Sequence, residues 1–127
     1  MSYRNFVFTL NNPTDEEIAI LRDVTTNLVN GRQWCVYIVF QSEIGGREMT
    51  RHLQGYMEMK KKIRVSTIKR RLGMTRIHLE KRRGSQEEAI EYSKKDATRE
   101  EGDNAVFVEM GVKKRSRGRY PTSGIRS

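Results

Sequence analysis

The chain has 127 residues, 35% hydrophobic and 32% charged, with a net charge of +9. That is room for one domain with a modest core, too apolar for a disordered chain, and basic enough to point to a polyanion, nucleic acid before an anionic membrane. A single cysteine excludes an internal disulfide, no apolar run approaches the ~18 residues of a membrane helix, and the N-terminus lacks the apolar centre of a signal peptide.

In chain order, RNFVFTL (4–10) alternates Phe6, Phe8 and Leu10 against Val7 and Thr9, the period of a strand. Asn-Asn-Pro at 11–13 ends it. Thr14 and Glu17 make a capping box, with Asp15 and Glu16 in the first turn, so a helix opens there. Its predicted stripe is Ile18, Leu21, Thr25 and Leu28, and Asn30-Gly31 is its expected stop. WCVYIVF (34–40) is apolar on both faces and reads as a central strand holding Cys35 as a small buried thiol. SEIGGRE (42–48) reads as a turn.

RHLQGYMEM (51–59) alternates again, placing His52, Gln54, Tyr56 and Glu58 on one face. A short helix follows, with Val65, Ile68 and Leu72 on its apolar side and Lys69, Arg70 and Arg71 on the other. TRIHLEK (75–81) is the fourth strand, and His78 in it reads as a structural or surface residue. Ser85 and Glu88 repeat the capping box and open a helix expected to reach about Ala97. AVFVEM (105–110) is the last strand. After Gly111 the composition turns to a basic linker or tail over 112–127. The expected fold is α+β, an antiparallel five-stranded sheet with helices packed mainly on one face, in one domain over 1–111.

Two groups of residues carry possible chemistry. His52 and Gln54 point the same way from one strand, and Glu43 lies on the preceding strand end, so one imidazole and two oxygens can meet. With no cysteine or second histidine beside them, tetrahedral zinc is disfavoured, and the set suits Mg²⁺ or Mn²⁺. The same spacing also suits an ordinary polar strand face. Tyr92 and Lys95 are i and i+3 on the last helix, and Ile90 is expected to face the core, turning Tyr92 outward. A phenol can be a nucleophile when a cation assists it, and Lys95 can neutralise charge on a phosphate. The plain alternative is a tyrosine at a helix edge. The basic face of Lys69, Arg70 and Arg71 is read as a DNA or RNA contact because of the overall charge.

FTLNNP at 8–13, HLQGY at 52–56 and YSKK at 92–95, in that order, resemble the three rolling-circle motifs of the replication-associated (Rep) proteins of small circular single-stranded DNA viruses. The resemblance covers about residues 4–111 and is to their HUH endonuclease domain, of the nanovirus and circovirus type. It implies an RRM-like or ferredoxin-like sheet with the site on its open face. It implies that Glu43, His52 and Gln54 hold Mg²⁺ or Mn²⁺, and that Tyr92 attacks a phosphodiester of single-stranded origin DNA, a stem-loop with a TAGTATTAC-like sequence. A 5′-phosphotyrosine link and a free 3′-OH would result, with Lys95 assisting. It implies that Thr9 and Asn11 help bind the origin.

The second motif normally reads His-hydrophobe-His. Gln54 stands in place of the second His, a variant that circoviruses also carry, and the departure bears on ion preference. Family members usually carry a helicase domain after the nuclease, and no GxxxxGK[ST] pattern occurs here, so the expectation is either a nuclease part of a longer protein, cut at the interdomain linker, or a short natural form. An intracellular protein of the host nucleus is implied. The basic runs at 60–71, 81–83 and 113–119 read equally as nuclear localisation signals or DNA contacts. The alternative reading of the whole is a non-catalytic RRM-like domain that binds single-stranded nucleic acid.

Overall fold

Five strands and three helices follow one another in the computed structural model, which describes residues 1–45 and 49–115. They are β1 (Ser2–Asn11), α1 (Asp15–Arg22), β2 (Cys35–Gly45), β3 (Thr50–Arg64), α2 (Val65–Leu72), β4 (His78–Lys81), α3 (Gln86–Tyr92) and β5 (Phe107–Gly111). The strands form one sheet in the order β4-β1-β3-β2-β5, every pair antiparallel. This is the expected α+β fold with an open antiparallel sheet.

The alternation read from the sequence sorts the two faces. Phe6, Phe8, Leu10, Ile38, Phe40, Leu53, Met57 and Met59 are buried on one face. Ile18 and Leu21 of α1 and Ile68 and Leu72 of α2 close over them. Each large apolar side chain removed from water there contributes about 1.5–3 kcal/mol. Cys35 is buried at the edge of this core, and burial pushes its thiol up to about 12. The opposite face carries a smaller cluster, Tyr37, Val39 and Tyr56, against Ala89 and Ile90 of α3. Two helices therefore share one face, and α3 lies on the other.

Several boundaries differ from the sequence reading. The first helix was expected to run to Asn30-Gly31 but ends at Arg22, where the Asp23 N–H caps the carbonyls of Ala19 and Leu21. Thr25 is buried as its stripe requires, whereas Leu28 is half exposed. Asn30 and Gly31 instead adopt φ of +53° and +71° between Val29 and Arg32, which pair with each other. That is a tight two-residue reversal of the kind Asn-Gly favours.

The segment 42–48 is not all turn, because β2 continues to Gly45 and β3 starts at Thr50. Ser42 and Glu43 are buried polar strand residues with hydrogen-bond partners, and polarity alone had marked them as loop. Residues 46–48 lie outside the described residues. At its other end β3 takes in Lys60–Arg64, paired with the start of β1. The fourth strand is shorter than 75–81. The last helix stops at Tyr92, and Ser93 is its C-cap: its N–H bonds the Ala89 and Ile90 carbonyls and its hydroxyl bonds the Ala89 carbonyl at 3.0 Å. Of the expected tail, 116–127 lie outside the described residues. Among the described residues no helix is long and apolar enough to cross a membrane.

Candidate active site

Strand register assembles the site. Asn11 of β1, His52 of β3 and Glu43 of β2 stand in one cross-strand row, and Thr9, Gln54 and Gln41 in the next. Side chains two apart share a face, so both rows look out on the side that carries α3. Directly opposed residues have Cβ atoms about 4.5–5.5 Å apart, which brings the predicted trio His52, Gln54 and Glu43 into one patch.

Glu43 is buried, with 1% of its surface exposed. Oε1 accepts the Thr98 hydroxyl at 2.9 Å and Oε2 accepts the Gln41 side-chain amide at 2.9 Å. The Lys95 ammonium donates to both oxygens at 3.1 Å. Burial pushes the carboxyl up, but the bonds from Gln41, Thr98 and Lys95 outweigh it and hold Glu43 below its ordinary range. It is ionised at neutral pH.

His52 Nε2 lies 3.3 Å from Glu43 Oε1, and Nδ1 lies 3.2 Å from the Thr50 carbonyl. Which ring nitrogen donates depends on the tautomer: Nε2–H would donate to the Glu43 carboxylate, whereas Nδ1–H would donate to the Thr50 carbonyl and leave Nε2 free as a ligand, the usual support for a metal-binding imidazole. Gln54 Oε1 accepts the Thr9 hydroxyl at 3.2 Å, and Nε2 donates to the Phe8 carbonyl at 3.3 Å. Among the described residues no group of three or more His, Cys, Asp or Glu is placed to hold an ion, and the Gln54 amide oxygen is the further oxygen that the register sets beside Glu43 and His52. Carboxylate, imidazole and amide oxygen fit a hard or borderline divalent ion.

Tyr92 is half exposed. With Thr9, Gln54, His78 and Glu80 it lines a cleft of about 210 Å³. The Lys95 ammonium sits 3.8 Å from the centre of the Tyr92 ring, so one cation joins the ring to the buried carboxylate. Two anchors hold this arrangement. The Gln41 amide also donates to the Lys95 carbonyl at 2.7 Å, and the Arg99 Nε donates to Gln41 Oε1 at 2.9 Å. At the other end of α3, the Gln86 amide donates to buried Glu58 Oε2 at 2.7 Å. The Tyr56 hydroxyl donates to the same oxygen at 2.6 Å, Arg82 donates to that hydroxyl, and the Lys114 N–H reaches Glu58 Oε1 at 2.7 Å. A helix pinned this way at its start delivers Tyr92 at its end over Thr9 and Gln54.

The remaining predicted residues fall in two places. Asn11 is exposed beside His52, and its carbonyl accepts the Arg76 guanidinium at 2.6 Å. Lys69, Arg70 and Arg71 ride on α2, which covers the opposite sheet face, and the fold does not bring them to the Tyr92 cleft. The sequence reading missed Gln41, Thr98 and Arg99. Gln41 had a signal, since it shares a strand face with Glu43. Thr98 and Arg99 had none, because they reach the site only when the chain after α3 pairs back along β2 through the Glu43–Arg99 bridge. His78, read as a surface residue, is exposed, bonds Glu80 at 2.8 Å and borders the cleft.

Residues 3–96 match the family model for a putative viral replication protein. The chain belongs to this viral replication protein family. It is 44% identical over 98 residues to the master replication protein of Banana bunchy top virus, covering 76% of this chain and 29% of that protein. It is 36% identical over 97 residues to the replication-associated protein of Goose circovirus, covering 76% of this chain and 31% of the relative. With the replication-associated protein of Beak and feather disease virus it shares 37% over 109 residues, covering 86% of this chain and 32% of the relative. The chain thus spans about a third of the length of these relatives. The matched family region takes in β1 from Tyr3 on, the Glu43–His52–Gln54 patch, Tyr92 and Lys95, and stops before Thr98.

Proposed function

We propose that this chain is the nicking and joining domain of a viral replication protein, a metal-dependent, sequence-specific endonuclease and strand transferase for single-stranded DNA. The observation that carries the reading is the Lys95 ammonium, which touches the Tyr92 ring and both oxygens of ionised, buried Glu43. Such an arrangement sets an exposed phenol beside a patch able to hold a divalent ion.

Tyr92 Oη attacks the phosphorus of one phosphodiester as its proton leaves to solvent. The P–O3′ bond breaks, and the departing 3′ oxygen takes up a proton. The products are a 5′-phosphotyrosine and a free 3′-OH. No water enters the ester, so attack by a 3′-OH reverses the step and rejoins strands without another energy source. Glu43, His52 and Gln54 would hold Mg²⁺ or Mn²⁺, which supplies Lewis-acid charge at the phosphate oxygens when bound. Lys95 balances charge on the phosphate, while Thr9 and Asn11 contact the strand beside the cleft. The proposed substrate is a stem-loop origin with a TAGTATTAC-like sequence. The proposed setting is the host nucleus, with a helicase domain in the longer protein.

The test is a labelled single-stranded origin oligonucleotide incubated with the protein and Mn²⁺ or Mg²⁺, then run on a denaturing gel. A band carrying the 3′ fragment on the protein, absent in Tyr92→Phe and absent with EDTA, supports the reading. Binding with no covalent band under either ion, across several origin sequences, overturns it in favour of a non-catalytic binding domain.

A further inference from the structure

Gln41 is fully buried on β2, and its whole side-chain amide is engaged. Nε2 donates to Glu43 Oε2 at 2.9 Å and to the Lys95 carbonyl at 2.7 Å. Oε1 accepts the Arg99 Nε at 2.9 Å. The oxygen and nitrogen ends of an amide have nearly the same shape but opposite hydrogen-bonding roles. A guanidinium only donates, so with Arg99 in place the oxygen faces Arg99 and the NH2 group faces the carboxylate and the carbonyl. Turned over, the amide would set its oxygen against two other acceptors and its NH2 group against the Arg99 N–H. All three bonds would be lost inside a buried site, where unpaired polar groups are costly.

Arg99 also holds the turn after α3 directly. Its Nη2 donates to the Lys94 carbonyl at 3.3 Å, so the successive carbonyls of Lys94 and Lys95 are tied to Arg99 and to Gln41. From that turn Lys95 places its ammonium on both Glu43 oxygens and 3.8 Å from the centre of the Tyr92 ring. Arg99 is fixed in turn by its backbone. The Ile44 N–H donates to the Thr98 carbonyl at 3.0 Å and the Glu100 N–H to the Ser42 carbonyl at 2.9 Å, on either side of the Glu43–Arg99 bridge. The guanidinium rests 5.7 Å from the centre of the Phe107 ring and 3.6 Å from the Asp96 carboxylate. The Arg99 side chain is 40% exposed, so a direct grip on a DNA phosphate is its rival role.

We infer that Arg99 is a positioning residue of the strand-transfer reaction. By deciding which way the buried Gln41 amide points, it holds the Lys95 turn, and with it the Lys95 ammonium, in line with Tyr92 and Glu43. The inference rests on the reading that Tyr92 attacks DNA. Arg99 lies past residue 96, where the family match ends, so the site draws on a segment outside the matched region. The geometry favours this role over a phosphate grip, because two of the guanidinium nitrogens are already committed to Gln41 and to the Lys94 carbonyl.

The experiment compares the whole chain with Arg99→Met, Gln41→Met and the two together, with circular dichroism melting as the check on folding. Met keeps much of the length of either side chain and removes its hydrogen bonds. Adduct formation is followed with Mn²⁺ over a range of single-stranded origin oligonucleotide concentrations. Misalignment without a lost phosphate contact lowers the maximal rate of Arg99→Met roughly 10- to 100-fold and leaves the half-saturating concentration unchanged. Because Arg99 acts through Gln41, the paired variant should be little slower than Gln41→Met alone. Arg99→Lys, which keeps one donor, should fall between parent and Arg99→Met, and it carries the comparison should Arg99→Met not fold. A readout free of DNA and metal is the Gln41 side-chain amide in a heteronuclear NMR spectrum: its hydrogens should exchange slowly with deuterium in the parent and faster in Arg99→Met. An unchanged maximal rate overturns the inference, as do additive losses in the paired variant. A raised half-saturating concentration at constant maximal rate also overturns it, since that is the mark of a phosphate contact. A parent that forms no adduct strikes the nuclease reading instead, and the amide exchange still decides whether Arg99 sets Gln41.

Discussion

Gly55→Ala tests the packing beneath the site. Gly55 lies between Phe8 on β1 and Phe40 on β2, directly opposite both. Their rings meet edge to face across it, 6.1 Å apart at 61°. A Cβ at position 55 would stand 2.5 Å from Phe8 Cε2, closer still to Phe8 Cζ, and 2.7 Å from Phe40 Cβ. Relaxed carbon contacts are about 3.5–4.0 Å. The Phe8 ring can turn only into a filled core, and no rotamer moves the Cβ of Phe40. Relief requires β2 and β3 to part at the middle of the sheet. Overpacking by one carbon costs about 1–3 kcal/mol, and a clash with a backbone-fixed atom puts this one near 3. At about 4 °C per kcal/mol for a domain of this size, Tm should drop by about 12 °C in a calorimetric or circular dichroism melt. Adding Phe8→Leu to the alanine variant should recover part of the loss but not all, since the Phe40 contact remains. A Gly55→Ala protein melting within about 3 °C of the parent would refute the packing argument.

Other outcomes follow from the same contacts. Lys95→Met should tighten Mn²⁺ binding by the DNA-free protein about fivefold in calorimetry, because an ion pair worth about 1 kcal/mol no longer competes for Glu43; weaker binding would mean the ammonium helps hold the ion. Glu109 is held below its ordinary range by the Tyr37 hydroxyl at 2.6 Å and by Lys94, against the push of burial. Its stabilising contribution is therefore present above the unfolded value near 4.5 and is lost as pH falls through the lower folded value. Urea midpoints of Glu109→Gln should decline less than those of the parent below that pH, and parallel curves would contradict the shift. Cys35, with its thiol pushed up to about 12 by burial, should not react with a disulfide reagent at pH 8 until urea is added.

The element order was legible because strands of period 2 and helices with capping boxes announce themselves locally. Thr14 with Glu17 and Ser85 with Glu88 both form the expected boxes. The helix ends were not legible. Thr25 and Leu28 kept the period after the hydrogen bonding had changed, and no residue pattern marks Ser93 as the C-cap of α3. The patch of Glu43, His52 and Gln54 could be read because two antiparallel strands with a short connection force it. Thr98 could not, since it arrives from a segment more than fifty residues away. Helical period also tells which side of α2 is wet, but not which face of the sheet α2 covers. Lys69, Arg70 and Arg71, expected as DNA or RNA contacts, therefore lie on the sheet face away from the Tyr92 cleft.

In the proposed reaction the Tyr92 oxygen becomes the link between protein and DNA. The most direct measurement is mass spectrometry of the protein after reaction with an origin oligonucleotide and Mn²⁺, followed by nuclease trimming and proteolysis. The expected product is a peptide containing Tyr92 that is heavier by a 5′-linked nucleotide fragment, with a matching free 3′-OH on the released strand. A nucleotide carried on any other residue, or cleavage with no adduct and a 5′-phosphate on the product, would contradict it.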